Sequence, residues 1–130
     1  MVIDTSALVA LLGMEPEAAR LAQAIQGDAV RLLSAAALLE SSIVVESRQG
    51  EAAVRELDLL LAKAGIQIEP VTAEQAEVAR QAWRRFGKGR HGAGLNFGDC
   101  FSYALSRVTG EALLFKGKDF PQTDVTAAIY

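Results

Sequence analysis

No apolar run in this chain is longer than six residues, and each stops at a glycine or a polar side chain, so the fold must be built from short buried elements. Met1-Val2-Ile3 ends at Asp4-Thr5-Ser6, three small polar residues that suit a strand end and the cap of a following helix. Ser6 to Leu12 then reads as a helix broken at Gly13, and Glu17 to Ile25 resumes the helical pattern until Gly27. Val30 to Ser34 is a second predicted strand. From Ala35 the period runs through Leu38, Leu39, Ile43 and Val44 to Gly50, and Glu51 to Ala64 repeats it through Val54, Leu57 and Leu61, predicting a helical hairpin. Ile66 and Ile68 alternate with Gln67 and Glu69 as a strand does, and Thr72-Ala73-Glu74-Gln75 opens a helix that continues to Phe86. Gly87 to Gly94 holds four glycines and predicts a loop of unusual freedom. Asn96 starts a helix to about Val108, Ala112 to Phe115 forms a buried strand, and a last short strand is expected near Val125. Strands alternating with helices predict one α/β domain over residues 1–130, an open, mainly parallel twisted sheet with helices on both faces.

Composition agrees with a packed domain: 51% of residues are hydrophobic and 22% charged, which excludes disorder as the main state. Cys100 is the single cysteine, which excludes an internal disulfide framework and a multi-cysteine metal site and fits a reducing cytoplasm. The apolar runs fall far short of the roughly 20 residues that span a bilayer, and no basic segment of a secretory signal precedes Asp4, so a cytoplasmic protein is expected. Thirteen Lys and Arg against sixteen Asp and Glu leave a net charge of −3, so an anionic ligand would have to be held locally.

The acids carry the chemical signal. Parallel sheets bind ligands beyond the carboxyl ends of their strands, where Asp4 and Asp119 are predicted to lie. Asp99 falls at the third position of the helix capped by Asn96, which a capping role alone would also explain. Glu40 has only Ala36, Ala37, Ile43 and Val44 as helical neighbours, so its carboxylate needs an Arg from elsewhere or a bound cation. Acids from distant segments meeting at one sheet end call for a hard divalent cation with oxygen ligands, Mg²⁺ or Mn²⁺, and that suits phosphodiester chemistry. Arg84, Arg85, Lys88 and Arg90, with Lys116 on the other flank, supply phosphate-binding charge. His91, the single histidine, is read as a solvated loop residue or an RNA-backbone contact, and Trp83 and Phe86 as core or interface residues.

Four segments carry a resemblance: Met1 to Leu8, Ser34 to Glu40, Gly89 to Cys100 with its Asn-Phe-Gly-Asp run, and Leu113 to Phe120 with Thr123-Asp124-Val125. In their order and spacing they resemble PIN-domain toxins of the VapC type over essentially the whole chain. The resemblance implies the toxin of a type II toxin–antitoxin system, a metal-dependent endoribonuclease that cleaves RNA through a metal-activated water and leaves 5′-phosphate and 3′-hydroxyl ends. It maps the metal site onto Asp4, Glu40 and Asp99, adds Asp119 as the further acid, and gives Thr5 or Ser6 a hydroxyl that supports Asp4. Lys118 stands where relatives often carry Asn or Asp. A homodimer and a VapB-like antitoxin are implied as partners, and the segments Leu57 to Leu61 and Leu38 to Val45 offer apolar surface for either.

Two other readings make different demands. A PIN-like scaffold without catalysis would show a broken acid set, whereas Asp4, Glu40 and Asp99 are all present. A phospho-acceptor receiver domain expects adjacent acids after its first strand, and Asp4 is followed instead by Thr5-Ser6.

Overall fold

A computed structural model describes residues Met1–Tyr130. Its elements in chain order are β1 (Val2–Ile3), α1 (Thr5–Leu12), α2 (Ala18–Gly27), β2 (Leu32–Ser34), α3 (Ala35–Gln49), α4 (Glu51–Lys63), β3 (Gln67–Glu69), α5 (Ala73–Phe86), α6 (Phe97–Thr109) and β4 (Leu113–Leu114), followed by a 3₁₀ turn at Phe120–Gln122. The strands form one parallel sheet in the order β3-β2-β1-β4. Val2 lies opposite both Leu32 and Leu113, so β1 is fully enclosed at the centre.

The pleat sends alternate residues to opposite faces, and each face has its own core. Ile3, Leu33 and Leu114 pack with residues of α1 to α4, among them Leu8, Leu21, Val45 and Leu57. Val2, Leu32 and Leu113 pack with α5 and α6 through Ala82, Phe86, Tyr103 and Leu105. The result is the expected three-layer arrangement with helices on both faces. No helix is long and apolar enough to cross a membrane.

Two expectations change. The strand expected near Val125 is a single bridge at Ala127, where the chain touches β4 through Leu113 N–H to Thr126 O and Ala128 N–H to Leu113 O, both 2.8 Å. A few polar and small residues after a 3₁₀ turn leave too short a stretch to extend the ladder. The glycine-rich segment is closed rather than free: Lys88 N–H donates to Leu95 O, His91 N–H to Gly87 O and Gly94 N–H to His91 O. Gly89 and Gly94, with φ of +82° and +63°, supply the left-handed residues that those turns need. The His91 ring joins this closure, with Nδ1 accepting from Ala93 N–H at 3.0 Å and the ring set edge-on against Phe86.

The central strands should dominate stability. Leu33 is fully buried, and Leu33→Ala is expected to cost about 2–5 kcal/mol in urea unfolding. Leu39 is 63% exposed, and Leu39→Ala in the same measurement should cost less than about 0.5 kcal/mol.

Candidate active site

The parallel strands deliver their carboxyl ends to one side, where a cleft of about 420 Å³ opens between α1, α3, the start of α6 and the segment after β4. Asp4, Glu40 and Asp99 line it together, and a smaller annex of about 130 Å³ adds Asp119 beside Asp4 and Asp99. Each acid reaches this place from a different part of the chain, and each for a local reason.

Asp4 follows β1 and caps α1. Its Oδ2 accepts from Ser6 N–H at 2.9 Å and from the Ser6 hydroxyl at 2.6 Å. Ser6 Oγ in turn accepts from the backbone N–H of Lys116 at 3.0 Å, so the segment after β4 fixes the rotamer of a side chain after β1. Asp4 Oδ1 is buried and has no hydrogen-bond partner. Thr5 serves otherwise than expected: its hydroxyl donates to Ala37 O at 3.4 Å and accepts from Ser41 Oγ at 3.3 Å. Ser6 therefore holds Asp4, while Thr5 ties α1 to α3, the helix that carries Glu40.

Asp99 is part of a capping box at α6, with Asn96 Oδ1 accepting from Asp99 N–H and Asp99 Oδ2 accepting from Asn96 N–H, both at 2.9 Å. The capping and cleft roles coexist because the box uses one carboxyl oxygen. Asp119 is exposed and caps the 3₁₀ turn without a side-chain hydrogen bond.

The basic residues divide. Lys116 lines the cleft, but its ammonium is ion-paired with Glu15 and with Glu17, the latter at 3.1 Å. None of Arg84, Arg85, Lys88 and Arg90 lines the cleft or its annex. Arg85 pairs with Asp124 at 3.1 Å, and the Asp124 carboxylate also accepts from the Tyr103 hydroxyl at 2.6 Å. Arg90 lies over the half-exposed Trp83 ring at 4.3 Å, whereas Phe86 is core. Arg48, which sequence reasoning missed, lines the cleft and has no ion-pair partner. Its signal was available: Glu40, Val44 and Arg48 recur every four residues along one face of α3.

Comparison with known proteins decides what this cleft belongs to. The PIN domain family model matches residues 1–125. Ribonuclease VapC of Mycolicibacterium smegmatis is 59% identical over 127 residues, covering 98% of each chain. VapC ribonuclease Mb0640 of Mycobacterium bovis is 55% identical over 125 residues, covering 96% of this chain and 95% of its own. The chain belongs to the VapC ribonucleases of the PIN-domain family. In structure it is similar to Mycobacterium tuberculosis VapC20, a Sarcin-Ricin loop cleaving toxin, with a TM-score of 0.78 at 21% identity over 96% of this chain and 95% of that one, a likeness of fold.

VapC nucleases depend on a metal, and the donors of this cleft suit a hard one. Asp4 Oδ1 is a buried oxygen without a partner, and the nearby acids offer oxygen only. No three His, Cys, Asp or Glu side chains are spaced to cage one ion among them. A hard cation that keeps several waters and takes one or two carboxylates does not need such a cage. Cys100 contributes nothing: burial, and then the charge of Asp99, push its thiol up to about 11, and its Sγ donates to Asn96 O at 3.2 Å.

Crowding of carboxylates in this VapC cleft is visible in Asp99. Burial, reinforced by the charges of Asp4, Glu40 and Asp119, pushes its carboxyl up to about 6, against the lowering effect of the Asn96 N–H. Between about pH 4 and 6 the folded protein therefore holds a proton that the unfolded chain releases, so stability falls as pH rises through that window. In EDTA, the melting temperature of Asp99→Asn relative to the parent protein should rise from pH 4 to pH 7 in differential scanning fluorimetry. A difference independent of pH would contradict the raised Asp99 carboxyl.

Proposed function

We propose that this VapC ribonuclease cleaves RNA phosphodiester bonds with Mg²⁺ or Mn²⁺ held by Asp4 and Asp99, aided by Glu40 and Asp119, and that it acts as the toxin of a type II pair. The observation that carries this reading is the buried, unpartnered Asp4 Oδ1 in a cleft that Glu40 and Asp99 border, with Asp119 in its annex. When bound, the cation neutralises charge on the phosphoryl oxygens and acidifies a water nucleophile.

The chain's own residues supply orientation and access. Ser6 holds Asp4 Oδ2, which leaves Oδ1 directed to the ligand. Asn96 fixes Asp99 through the capping box, so its second oxygen is free. Glu40 borders the same cleft from α3 and orients the attacking water. No histidine takes part, since His91 is engaged with its own loop.

Arg48 meets a phosphate next to the scissile one, because it is the cation lining the cleft that no acid engages. Arg84, Lys88 and Arg90, with Arg85 committed to Asp124, serve phosphates farther along the strand. A VapB-like antitoxin and a second copy of the chain are the protein partners. Leu39, Ile43 and Phe97, all more than half exposed, give apolar contact beside the cleft, whereas Leu57 and Leu61 are spent in the core.

The test is cleavage of total and structured RNA with Mg²⁺, Mn²⁺ or EDTA. EDTA should abolish cleavage, and Asp99→Asn should reduce it by at least ~100-fold, since even residues around metal ligands contribute 10–100-fold. Cleavage in EDTA, or full activity of Asp99→Asn, would reject the mechanism. A second measurement addresses Arg48. In an Asp99→Asn background, Arg48→Ala should weaken single-stranded RNA binding and lower the slope of log K against log salt by about 0.7, one phosphate contact.

A further inference from the structure

Gly98 is the second residue of α6, one position before Asp99, where glycine is a poor choice for helix stability. Backbone conformation does not call for it. Six other glycines of the chain have left-handed φ values, but Gly98 does not. What it lacks is room. A Cβ built on Gly98 would lie 2.6 Å from Glu40 Cδ and 2.8 Å from Oε1, with Oε2 nearer still, and its three nearest atoms all belong to that one carboxyl group. The Glu40 carboxylate thus occupies the space that any other side chain at position 98 would fill.

We propose that Gly98 is a positioning residue for RNA cleavage: by having no side chain, it lets Glu40 lie across the first turn of α6 and reach the acidic cleft beside Asp99. The inference rests on the reading of Glu40 as a member of the metal site. Glu40 borders two spaces, the cleft and an apolar groove lined by Leu39, Ile43 and Phe101. Its carboxyl is the free end of a flexible side chain, and it supplies all three of the atoms nearest a methyl group at position 98, so that group displaces a side-chain end. The fold survives this substitution, and the helix gains from alanine. The cost falls on the site alone, a trade of function against stability.

The test is a cycle of the parent protein, Gly98→Ala, Glu40→Ala and the double variant, read by melting temperature, by Mn²⁺ affinity in isothermal titration calorimetry without RNA, and by cleavage kinetics. Gly98→Ala should melt at or above the parent temperature, bind Mn²⁺ at least ~10-fold more weakly and lose kcat with KM for RNA within about twofold. Added to Glu40→Ala, it should change Mn²⁺ affinity by less than about twofold, since the displaced group is already gone. Retention of metal affinity and kcat in Gly98→Ala, with Glu40→Ala damaging, would overturn the role of Gly98 alone. An undiminished effect of Gly98→Ala on the Glu40→Ala background would also overturn it, by showing that it acts through something else. If Glu40→Ala itself leaves affinity and cleavage unchanged, the assignment of Glu40 to the metal site fails, and the role of Gly98 with it.

Discussion

Like charges held close together in partial burial repel, and the active end of this molecule is organised around that repulsion. Asp4, Glu40, Asp99 and Asp119 are carried there by β1, α3, α6 and the turn after β4, which are far apart in sequence and adjacent only because the sheet is parallel. Asp99 registers both the burial and the repulsion, its carboxyl raised to about 6 first by loss of solvent and then by the charges of Asp4, Glu40 and Asp119. Under the proposed function a bound cation would relieve the repulsion, so a geometry that costs stability by itself would give affinity for the ion.

Holding four carboxylates in place takes more contacts than the acids themselves make. Ser6 is bonded on one side to Asp4 and on the other to the backbone of Lys116, which couples the ends of the neighbouring strands β1 and β4. Thr5 and Ser41 join α1 to α3, and the capping box settles both the start of α6 and the direction of Asp99. Lys116 neutralises Glu15 and Glu17 at the rim, leaving Arg48 as the cleft cation without an ion-pair partner. These ties are mostly made by small side chains, and several join segments far apart in sequence.

Much of this was legible in the sequence where the signal was local. Asp4 follows an apolar run, Asp99 sits three residues after a capping Asn, and Glu40 stands among apolar helical neighbours, so each was placed by its immediate surroundings. The α/β layering followed from alternating periods, whereas the opposite faces taken by Ile3 and Val2 did not, since both are apolar. What sequence did not reveal depends on distant pairs. The partners of Lys116 are Glu17 and Glu15, the latter 101 positions away, and a basic residue near a glycine turn reads equally well as free. Arg48 closes α3, where a cation complements the helix dipole and so attracts no notice. The choice between Thr5 and Ser6 as support for Asp4 turned on which hydroxyl faces α3, a matter of helical phase that two adjacent residues cannot disclose.

If these acids form a divalent-cation site at the carboxyl end of the sheet, crystals grown with Mn²⁺ will show it by anomalous scattering. The expected result is a strong peak in the cleft within about 2.0–2.3 Å of oxygens from Asp4 and Asp99, with water completing the shell. A cleft without anomalous signal at saturating Mn²⁺, or a peak held by other residues, would contradict that site.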